Sequence, residues 1–481
     1  MALALAATGC GGTKEDSKAD GGGGGAGSCS IEPPVLTDHR LRANGTRFED
    51  ALGRTVVLRG VNAGGRSKFA PFTPFEVDGP AEGAAFQAAL ADYLDRAASW
   101  GIDVLRVPFT WEAVEPAQGQ DDEGFLKKYD ALLDGAWARG MFTVVDFHQD
   151  VYAQAYCGDG FPPWTLPASA PAPHHDCSGW GIEYENDAGV RAAFDAFWAD
   201  GSAVRAAYES LWDRMVTRYR DKPGVIGFEV LNEPGWGTAD PDAWEASTLT
   251  DFYSRMAARV AALAPDALVF FDATGTDAIG LQTTMKRPVG TNLVFAPHYY
   301  QVAALFGGTP SGSTVIDDLR KWQAYGDQWS IPVFLGEFGA SNAVADGASY
   351  MSDTFAALDS LGMSGTEWEY SVANELWNGE DLSLVAGDGT ENPMAAGILR
   401  PYAKALAGTS ATLSFDAASR ELSLDYVPSM GVTEIVLPER AYPKGYTVAV
   451  EGACADSSRA EALLVKAGAG ATKVTLRVRS K

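Results

Sequence analysis

The chain has 481 residues, too many for a single core of about 150 residues but suited to a barrel of about 250 to 400 residues with one small additional domain. Hydrophobic residues make up 46% of the sequence and charged residues 21%, which excludes wholesale disorder. The 37 basic and 63 acidic residues give a net charge of −26, and a field of that sign repels phosphate backbones. We therefore expect no nucleic-acid partner and no attraction of the folded body to an acidic membrane surface.

The N-terminus has the features of an export signal. Met1 to Gly9 is short and apolar and ends directly before Cys10, and no later apolar run approaches the ~20 residues that span a bilayer. The arrangement resembles the lipobox of bacterial lipoproteins, which implies a lipid-modified Cys10; a cytosolic chain with an accidental apolar start is the alternative. The Gly-rich polar stretch that follows is typical of a flexible tether. We expect residues 1–30 to be a signal remnant and tether, and the bacterial protein to be exported, either membrane-anchored or secreted.

Four further cysteines remain, and an even number in an exported protein favours disulfides. They are Cys29, Cys157, Cys177 and Cys454. Cys157 and Cys177 flank a loop rich in Pro, Gly and Trp, and we predict that a bridge between them staples this loop. A metal site built from these cysteines with His174 and His175 is the alternative, but the spacing matches no zinc pattern. We expect neither a metal nor a cofactor.

From Thr55 onward, short β-branched apolar runs alternate with amphipathic helical stretches, as in successive βα units. Eight candidate strands begin at Val56, Asp103, Phe142, Gly224, Ala267, Asn292, Pro332 and Gly365. The segments between them space apolar residues three and four apart and end in Gly, which is typical of helices. The pattern predicts an α/β fold with a (β/α)8 TIM barrel over residues 31–402. An open doubly wound sheet is disfavoured, because no Gly-rich phosphate turn follows any of the strands.

Beyond Tyr402 the helical period disappears, and short segments alternate apolar and polar residues between turn signals. Residues 403–481 are therefore predicted to form a small antiparallel β-sandwich domain. Such a domain could bind carbohydrate or lipid, but its strands carry no row of aromatic residues. We favour a structural cap packed on the barrel.

Polar residues lie at the carboxyl ends of six predicted strands, the ends that face the active site in a barrel. They are Arg106 on the second strand, His148, Gln149 and Asp150 on the third, Asn232 and Glu233 on the fourth, His298 and Tyr300 on the sixth, Glu337 on the seventh and Trp368 on the eighth. Any one of them has an ordinary explanation, such as a buried ion pair, a core histidine or a packing tryptophan. Their coincidence at six strand ends predicts a functional site.

Two carboxylates in this set have the arrangement that glycoside cleavage needs. Glu233 and Glu337 each follow an apolar run, so both are predicted at the mouth of an apolar barrel, where desolvation raises a pKa. One carboxyl can then protonate the leaving oxygen while the other attacks or stabilises the anomeric carbon. We predict a separation near 5 to 5.5 Å, the retaining geometry. Strand alternation points Glu229 and Glu369 toward other faces, and Asp146 is expected to be a structural partner.

These residues and their motifs resemble glycoside hydrolase family 5, whose members are retaining barrel enzymes and include cellulases. The resemblance is carried by Asn232-Glu233-Pro234, Glu337 in LGEFG, Arg106 in LRVPFTW, His148, the His298-Tyr299-Tyr300 run and Trp368. It implies that Glu233 is the acid/base and Glu337 the nucleophile. It also implies that Asn232 contacts the sugar 2-hydroxyl, that Tyr300 positions Glu337, and that Arg106 keeps the nucleophile ionised.

The segments DFHQDVYAQAYCGDGFPPWT, WGIEYEN and GTEWEYS resemble the endoglycoceramidase branch of that family. The resemblance implies cleavage of the β-linkage between an oligosaccharide and ceramide, and a C-terminal β-sandwich. A lipid-anchored tether supports the same choice, since glycolipid head groups are presented at membranes. The site would then have a sugar side lined by Lys68, Asp150 and Trp180 and a lipid side lined by Phe306, Leu376 and Trp377.

Two alternative functions stay open at this stage. One is a β-glucanase or β-glucosidase of the same family that acts on polysaccharide or a steryl glucoside. The other is a non-catalytic surface protein that binds glycans, which is disfavoured because both carboxylates are present. The expected partners are a glycolipid or glycan substrate and a membrane surface reached through the N-terminal lipid, and we expect a monomer.

Overall fold

The structure is a computed structural model that describes residues 29–172, 177, 179–374 and 380–481. Cys10 and the predicted tether up to residue 28 lie outside these residues, as do His174, His175, Leu376 and Trp377. Within the described ranges, no helix combines the length and the apolar character needed to cross a bilayer.

Among the residues that the structure describes, three short strands precede the barrel, and ten strands build it. The first three are β1 (Arg42–Asn44), β2 (Arg47–Glu49) and β3 (Thr55–Val56). The barrel strands are β4 (Arg59–Asn62), β5 (Val104–Phe109), β6 (Phe142–Phe147), β7 (Val225–Glu229), β8 (Leu268–Phe271), β9 (Leu293–Phe295), β10 (His298–Tyr299), β11 (Phe334–Leu335), β12 (Glu337–Phe338) and β13 (Ser364–Glu367).

Eight of these strands form one parallel sheet in the order β11-β13-β4-β5-β6-β7-β8-β9. The sheet closes because Phe295 on β9 pairs with Val333, next to β11, and its N–H donates to the Pro332 carbonyl at 3.0 Å. The predicted TIM barrel is therefore confirmed. Every residue of β5 and β6 is buried, as expected for strands covered on both faces.

The sixth and seventh strand units are interrupted just before their carboxyl ends, which the sequence pattern did not predict. Pro297, which has no N–H to donate, separates β9 from β10, and Gly336 separates β11 from β12. A Cβ atom at Gly336 would lie 3.1 Å from the His298 ring, so the two strands approach closely here. Beyond the break, β10 pairs with β12 in parallel, and His298 faces Glu337 in the register.

Within the described residues, twelve α-helices lie between these strands in sequence. They are α1 (Ala84–Ser99), α2 (Trp111–Val114), α3 (Glu123–Trp137), α4 (Glu183–Asn186), α5 (Ala188–Trp198), α6 (Ala203–Tyr219), α7 (Pro241–Trp244), α8 (Thr250–Leu263), α9 (Gly275–Gly280), α10 (Val302–Leu305), α11 (Val315–Trp329) and α12 (Gly347–Leu361), with a π-helical turn at Glu245–Leu249. Helix α3 illustrates how the local sequence starts a helix. Asp122 caps its first turn by accepting from the N–H groups of Gly124 and Phe125. Its apolar stripe then buries against the sheet.

The last residues form two antiparallel sheets, as predicted. Their strands are β14 (Tyr402–Leu406), β15 (Gly408–Asp416), β16 (Glu421–Pro428), β17 (Thr433–Val436), β18 (Tyr446–Glu451), β19 (Ala453–Arg459), β20 (Ala462–Ala467) and β21 (Val474–Ser480). One sheet has the order β15-β16-β21-β18, and the other continues from β19-β20-β17-β14 into β3, β2 and β1. The predicted division at residue 402 remains a prediction.

Two disulfides tie distant parts of the chain together. Cys157 and Cys177 are bridged, which confirms the predicted staple and removes both sulfurs from the alternative metal site. The second bridge joins Cys29 to Cys454 on β19. Next to it, the Ile31 N–H donates to Asp456 at 2.8 Å, so the N-terminal segment is fastened to the β-sandwich.

Candidate active site

A buried guanidinium lies below the barrel mouth. Arg106 on β5 has no solvent exposure, and its Nε and Nη2 atoms each donate to Glu229 on β7 at 2.8 Å. The remaining N–H groups donate to Asn62, Asn232 and Glu337 at 2.8 to 2.9 Å. All five N–H groups of Arg106 are therefore satisfied, which fixes side chains from the ends of β4, β7 and β12 around it.

Glu337 lies directly above this guanidinium. One of its oxygens accepts from Arg106 at 2.8 Å, and the other accepts from the Tyr300 hydroxyl at 2.9 Å. Burial raises the pKa of Glu337, while the nearby His298 and Arg106 work in the opposite direction. The carboxylate thus has two fixed hydrogen-bond donors and one face left toward the mouth.

Glu233 lies in a strained backbone position beyond β7. Its φ angle is +37°, a region that side-chain-bearing residues rarely adopt. The backbone is held on both sides: Gln149 donates to the Glu233 carbonyl at 2.8 Å, and the Glu233 N–H donates to Asp272 at 3.2 Å. Its carboxyl contacts the Nδ1 atom of His298 at 2.8 Å. Burial, and then the negative charge of Asp150, raise the pKa of Glu233 to about 8.

The two carboxyl groups lie close together across the mouth. One oxygen of Glu233, one oxygen of Glu337 and a ring nitrogen of His298 all lie within 4.8 Å of one another. This spacing is far below the about 7 Å or more that leaves room for a water molecule between inverting carboxylates, and it fits the retaining geometry. Burial lowers the pKa of His298 to about 4, so the ring is neutral at neutral pH.

The same side chains could in principle hold a cation. Oxygens of Glu229 and Asp272 also lie within 4.8 Å of a ring nitrogen of His298. However, Arg106 already donates to both oxygens of Glu229 and to one oxygen of Glu337. A divalent cation would have to displace these charge-assisted bonds, so the guanidinium serves as the counter-ion of the cluster.

A charged group adjoins the pair on the side of the first and third strands. Lys68 contacts Asp150 at 2.5 Å, and its ammonium lies 4.3 Å from the ring centre of Trp368 and 5.9 Å from that of Trp180. Burial alone would lower the pKa of Lys68, but Asp150 raises it above its usual range. Burial alone would raise the pKa of Asp150, but Lys68 and His148 together lower it below its usual range. Lys68, Asp150 and Trp180, predicted together from the sequence, are therefore brought together.

His148 and Trp368 connect this group to the catalytic pair. The His148 ring stacks on Trp368 with a centroid distance of 5.0 Å, and its Nδ1 atom is 2.8 Å from Asp146. Burial, followed by the charge of Lys68, lowers the pKa of His148 well below its usual value. Every sequence-predicted site residue within the described chain thus lies in one connected cluster.

Exposed apolar side chains occur on the helices that follow the fifth and sixth strands. Ile279 on α9, Val302 on α10 and Phe306 at the end of α10 have exposed fractions of 44, 52 and 74%. Ala278, Tyr300, Trp368 and Leu382 form a small buried cluster. Ile279 follows Ala278, whose carbonyl accepts from the Tyr300 N–H at 3.2 Å, so it lies close in the chain to the residue that contacts Glu337. Of the three predicted lipid-side residues, Phe306 is the one in the described part of the chain.

Sequence reasoning missed or misplaced several members of the site. Strand alternation was expected to turn Glu229 away, but Glu229 is fully buried inside the barrel and paired with Arg106, because β7 ends at this residue and its side chain points under the mouth. Asp272 was not singled out, although it follows β8 as Glu233 follows β7. Asn62, which accepts from Arg106, gave no signal beyond its place at the end of β4. Glu369 lies outside this cluster and accepts from Gly65 and Ser371.

Comparisons with known proteins agree with this geometry. The family model "Cellulase (glycosyl hydrolase family 5)" matches residues 68–374, and the "Glycoside hydrolase family 5 C-terminal domain" matches residues 400–478. The chain is 25% identical over 468 residues to endoglycoceramidase I of Rhodococcus hoagii, which covers 92% of this chain and 88% of that protein.

Solved structures show the same two-part architecture. Endo-glycoceramidase II from Rhodococcus sp., in complex with a five-membered iminocyclitol, superposes with a TM-score of 0.76 at 25% identity and covers 90% of this chain and 99% of that chain. Sterylglucosidase 1 of Cryptococcus neoformans, at 16% identity and a TM-score of 0.74 over 93% of this chain and 98% of that one, shares the fold. From its barrel, its carboxylate pair and these matches, the chain belongs to glycoside hydrolase family 5.

Proposed function

We propose that this protein is a retaining, endo-acting glycosidase that cleaves the β-linkage between a glycan and ceramide in glycosphingolipids. The observation that carries the proposal is the two-sided mouth: a close carboxyl pair lies between a charged group, Lys68 with Asp150, and an exposed apolar surface at Phe306. The proteins named as endoglycoceramidases among its relatives support the same substrate class.

In the first step, Glu337 is the nucleophile and Glu233 the acid. A Glu337 oxygen attacks the anomeric carbon, the bond to the ceramide oxygen breaks, and that oxygen takes the proton of Glu233. Arg106 and the Tyr300 hydroxyl hold Glu337 in place and favour its ionised form. A pKa of about 8 leaves Glu233 protonated at neutral pH, as a donor must be.

In the second step, Glu233 becomes the base. It takes a proton from a water molecule, the water oxygen attacks the anomeric carbon, and the bond to Glu337 breaks, which frees the glycan with its original anomeric configuration. His298 contacts the carboxyls of both residues at 2.8 and 3.4 Å and keeps them at a fixed separation. Asn232 and His148 are proposed to contact the sugar that reacts, and Trp368 to lie under it.

We assign the glycan to the side of Lys68, Asp150 and Trp180 and the ceramide to the side of Ile279, Val302 and Phe306. The first group comes from loops after the first and third strands, and the second from loops after the fifth and sixth. Trp180 offers a flat apolar face on which a sugar ring can stack. Lipid chains gain about 0.8 kcal/mol for each buried methylene, so partial burial already favours a glycolipid over a soluble glucan.

We further infer that the protein is exported and held at a membrane by a lipid on Cys10, and that it acts as a monomer. Two disulfides support an oxidising destination, since such bridges persist outside the cytosol. A membrane anchor would keep the apolar side of the mouth near its lipid substrate.

The acid/base has one contact that a small substitution can probe. A Cβ atom added to Gly275, the first residue of α9, would lie 2.6 Å from a Glu233 carboxylate oxygen. The Glu233 carboxyl also contacts His298 at 2.8 Å and is held by its backbone, so it has little room to retreat. Gly280 ends the same helix, and a Cβ atom there would have the Gln282 side chain, at 3.9 Å, as its nearest neighbour among the described residues.

We expect Gly275→Ala to lower kcat roughly 10- to 100-fold, because a displacement of about 1 Å at the acid/base is enough for such a loss. Gly280→Ala is the matched control and should keep kcat within about twofold, since its added methyl meets only ordinary contacts. Both variants should unfold within a few degrees of the parent. If the two variants had equal activity, the prediction that turnover depends on the tight packing of Glu233 would be wrong.

Removing either catalytic carboxyl should abolish turnover but in different ways. Glu233→Gln and Glu337→Gln should each lower turnover at least about 10³-fold, whereas Glu367→Gln, a control at the end of β13, should not. On an activated aryl glycoside, Glu233→Ala should form the covalent intermediate and be rescued by azide to the β-glycosyl azide. Glu337→Ala should not form it. If both variants gave the same retained azide at the same rate, the assignment of roles would be wrong.

The raised pKa of Glu233 predicts the alkaline limb of the pH profile. The donor keeps its proton below pH 8 and loses it as the pH rises through about 8. We therefore expect kcat/KM on a glycolipid to fall about tenfold per pH unit above that value. With a dinitrophenyl glycoside, whose leaving group needs no proton, the fall should be absent after correction for spontaneous hydrolysis. Parallel profiles for both substrates would contradict the assignment of Glu233.

The substrate class is tested by release of intact oligosaccharide from lactosylceramide and a ganglioside in detergent, beside carboxymethylcellulose and a steryl glucoside. We expect release from the sphingolipids alone. Phe306→Ser should raise KM for lactosylceramide several-fold and leave KM for an aryl lactoside unchanged, because only the lipid chains lose a contact. Met430→Ser, at an exposed residue of the β-sandwich, is the control and should change neither. Cleavage of carboxymethylcellulose without sphingolipid cleavage would establish the glucanase alternative.

A further inference from the structure

The segment after the stapled cysteine folds back onto the strand end that carries Asp150. The Asp159 N–H donates to the Asp150 carbonyl at 2.9 Å, and the Phe161 N–H donates to the Tyr152 carbonyl at the same distance. Asp150 and Asp159 are therefore paired as in an antiparallel bridge. The aromatic rings of Tyr152 and Phe161 stack 4.2 Å apart and close this short ladder on one side.

Glycines on both sides of Asp159 make the approach possible. A Cβ atom at Gly158 would lie 1.7 Å from the Asp150 carbonyl oxygen. Gly160 has a φ angle of +107°, and a Cβ atom there would lie 2.3 Å from the Cβ atom of Gln149. Neither position can carry a side chain without moving the backbone, so the place of Asp159 beside Asp150 is set by the chain itself.

The Asp159 side chain is buried with a second acid as its neighbour. It has no solvent exposure, and within the described residues neither of its oxygens accepts from an N–H or O–H donor. Burial, then the charge of Asp150 and a hydrogen bond to it, raise the pKa of Asp159 well above its ordinary range, while the Lys68 ammonium acts against this. Glu380, whose pKa burial raises to about 8, is the other acid that faces this group.

Lys68 decides which of the two acids keeps a proton. Its ammonium contacts an Asp150 oxygen at 2.5 Å, and His148 approaches the same oxygen at 3.5 Å. Two buried carboxylates on paired residues are costly to ionise together next to a single cation, and the acid in contact with that cation loses its proton first. The charge therefore belongs to Asp150, and the proton to Asp159.

We propose that Asp159 is a positioning residue: it pairs with Asp150 across the ladder, and its buried side chain, which accepts from no donor within the described residues, donates a hydrogen bond that holds the Asp150 carboxylate in place. Asp150 then has Asp159 as a partner beside Lys68 and His148, and its orientation is fixed. The inference rests on the proposed function, in which Asp150 and Lys68 contact the glycan. The inference adds that glycan binding by Asp150 and Lys68 depends on Asp159, which does not itself contact the substrate.

A divalent cation between the two acids is the other use that such a pair could have. The ammonium of Lys68 already occupies the contact to Asp150, and a second cation would lie within repulsive distance of it. A hydrogen bond from Asp159 to Asp150 requires no cation between the two acids, because a protonated carboxyl supplies the hydrogen that the bond needs.

The experiment compares Asp159→Asn with Asp159→Ala. The amide is neutral and still donates, so Asp159→Asn should keep KM for lactosylceramide and for an aryl lactoside within about twofold. Asp159→Ala removes the donor and should raise both KM values about tenfold or more with a smaller change in kcat, because a lost bond to a charged group has an effect of that size. Thermal unfolding of both variants shows whether either effect comes from loss of the fold.

Infrared difference spectroscopy gives a readout that does not require substrate. The spectrum of the wild type minus Asp159→Asn at neutral pH should contain the carbonyl stretch of a protonated carboxylic acid, shifted in D2O. Carboxylate bands in its place, or unchanged KM values in a folded Asp159→Ala, would overturn the proposal. If the substrate proposal itself fails, the wild type does not release glycan from sphingolipids while the infrared band persists, so the two failures are distinguishable.

Discussion

The hydrogen-bonding capacity of Arg106 is the constraint on which the arrangement of the side chains below the barrel mouth depends. Its five N–H groups lie in a rigid plane and donate twice to Glu229 and once each to Asn62, Asn232 and Glu337. The Arg106 side chain has no solvent exposure. The partners lie on or follow three barrel strands, β4, β7 and β12, so the guanidinium sets the distances between strand ends that share no ladder with one another. A lysine could not replace it, because an ammonium has three donors and no fixed plane.

One guanidinium cannot neutralise all the acids around it. Some of these acids therefore have raised pKa values, and others are ionised. Burial raises the pKa values of Asp146 and Asp272 well above their ordinary range, although Arg106 lowers both. Glu337 receives the direct bond from Arg106, whereas Glu233 contacts the neutral His298. The acid that must donate a proton is thus the one without direct contact to the cation, and its pKa of about 8 follows from burial beside Asp150.

The sequence predicts the parts of this site that follow from strand periodicity. Eight apolar runs place Glu233 and Glu337 at strand ends, and the closed sheet brings those ends together. Contacts made by loop geometry leave no such pattern: Asp159 is brought to Asp150 by two glycines and a ladder of two hydrogen bonds. The pairing of β3 with β14 escapes prediction for a related reason, because a partner hundreds of residues away is selected by packing and not by local propensity.

The polar and apolar residues around the active-site mouth come from loops that follow different barrel strands. Lys68 and Asp150 come from the loops after the first and third strands, and Phe306 comes from the loop after the sixth. Lys68 and Asp150 are buried and paired on one side, and their charges are compensated before any ligand arrives. Phe306 remains exposed on the other side, where water is the alternative to an apolar ligand. The bond to be cleaved must lie between them, over Glu233 and Glu337, which suits a molecule with one polar and one apolar half.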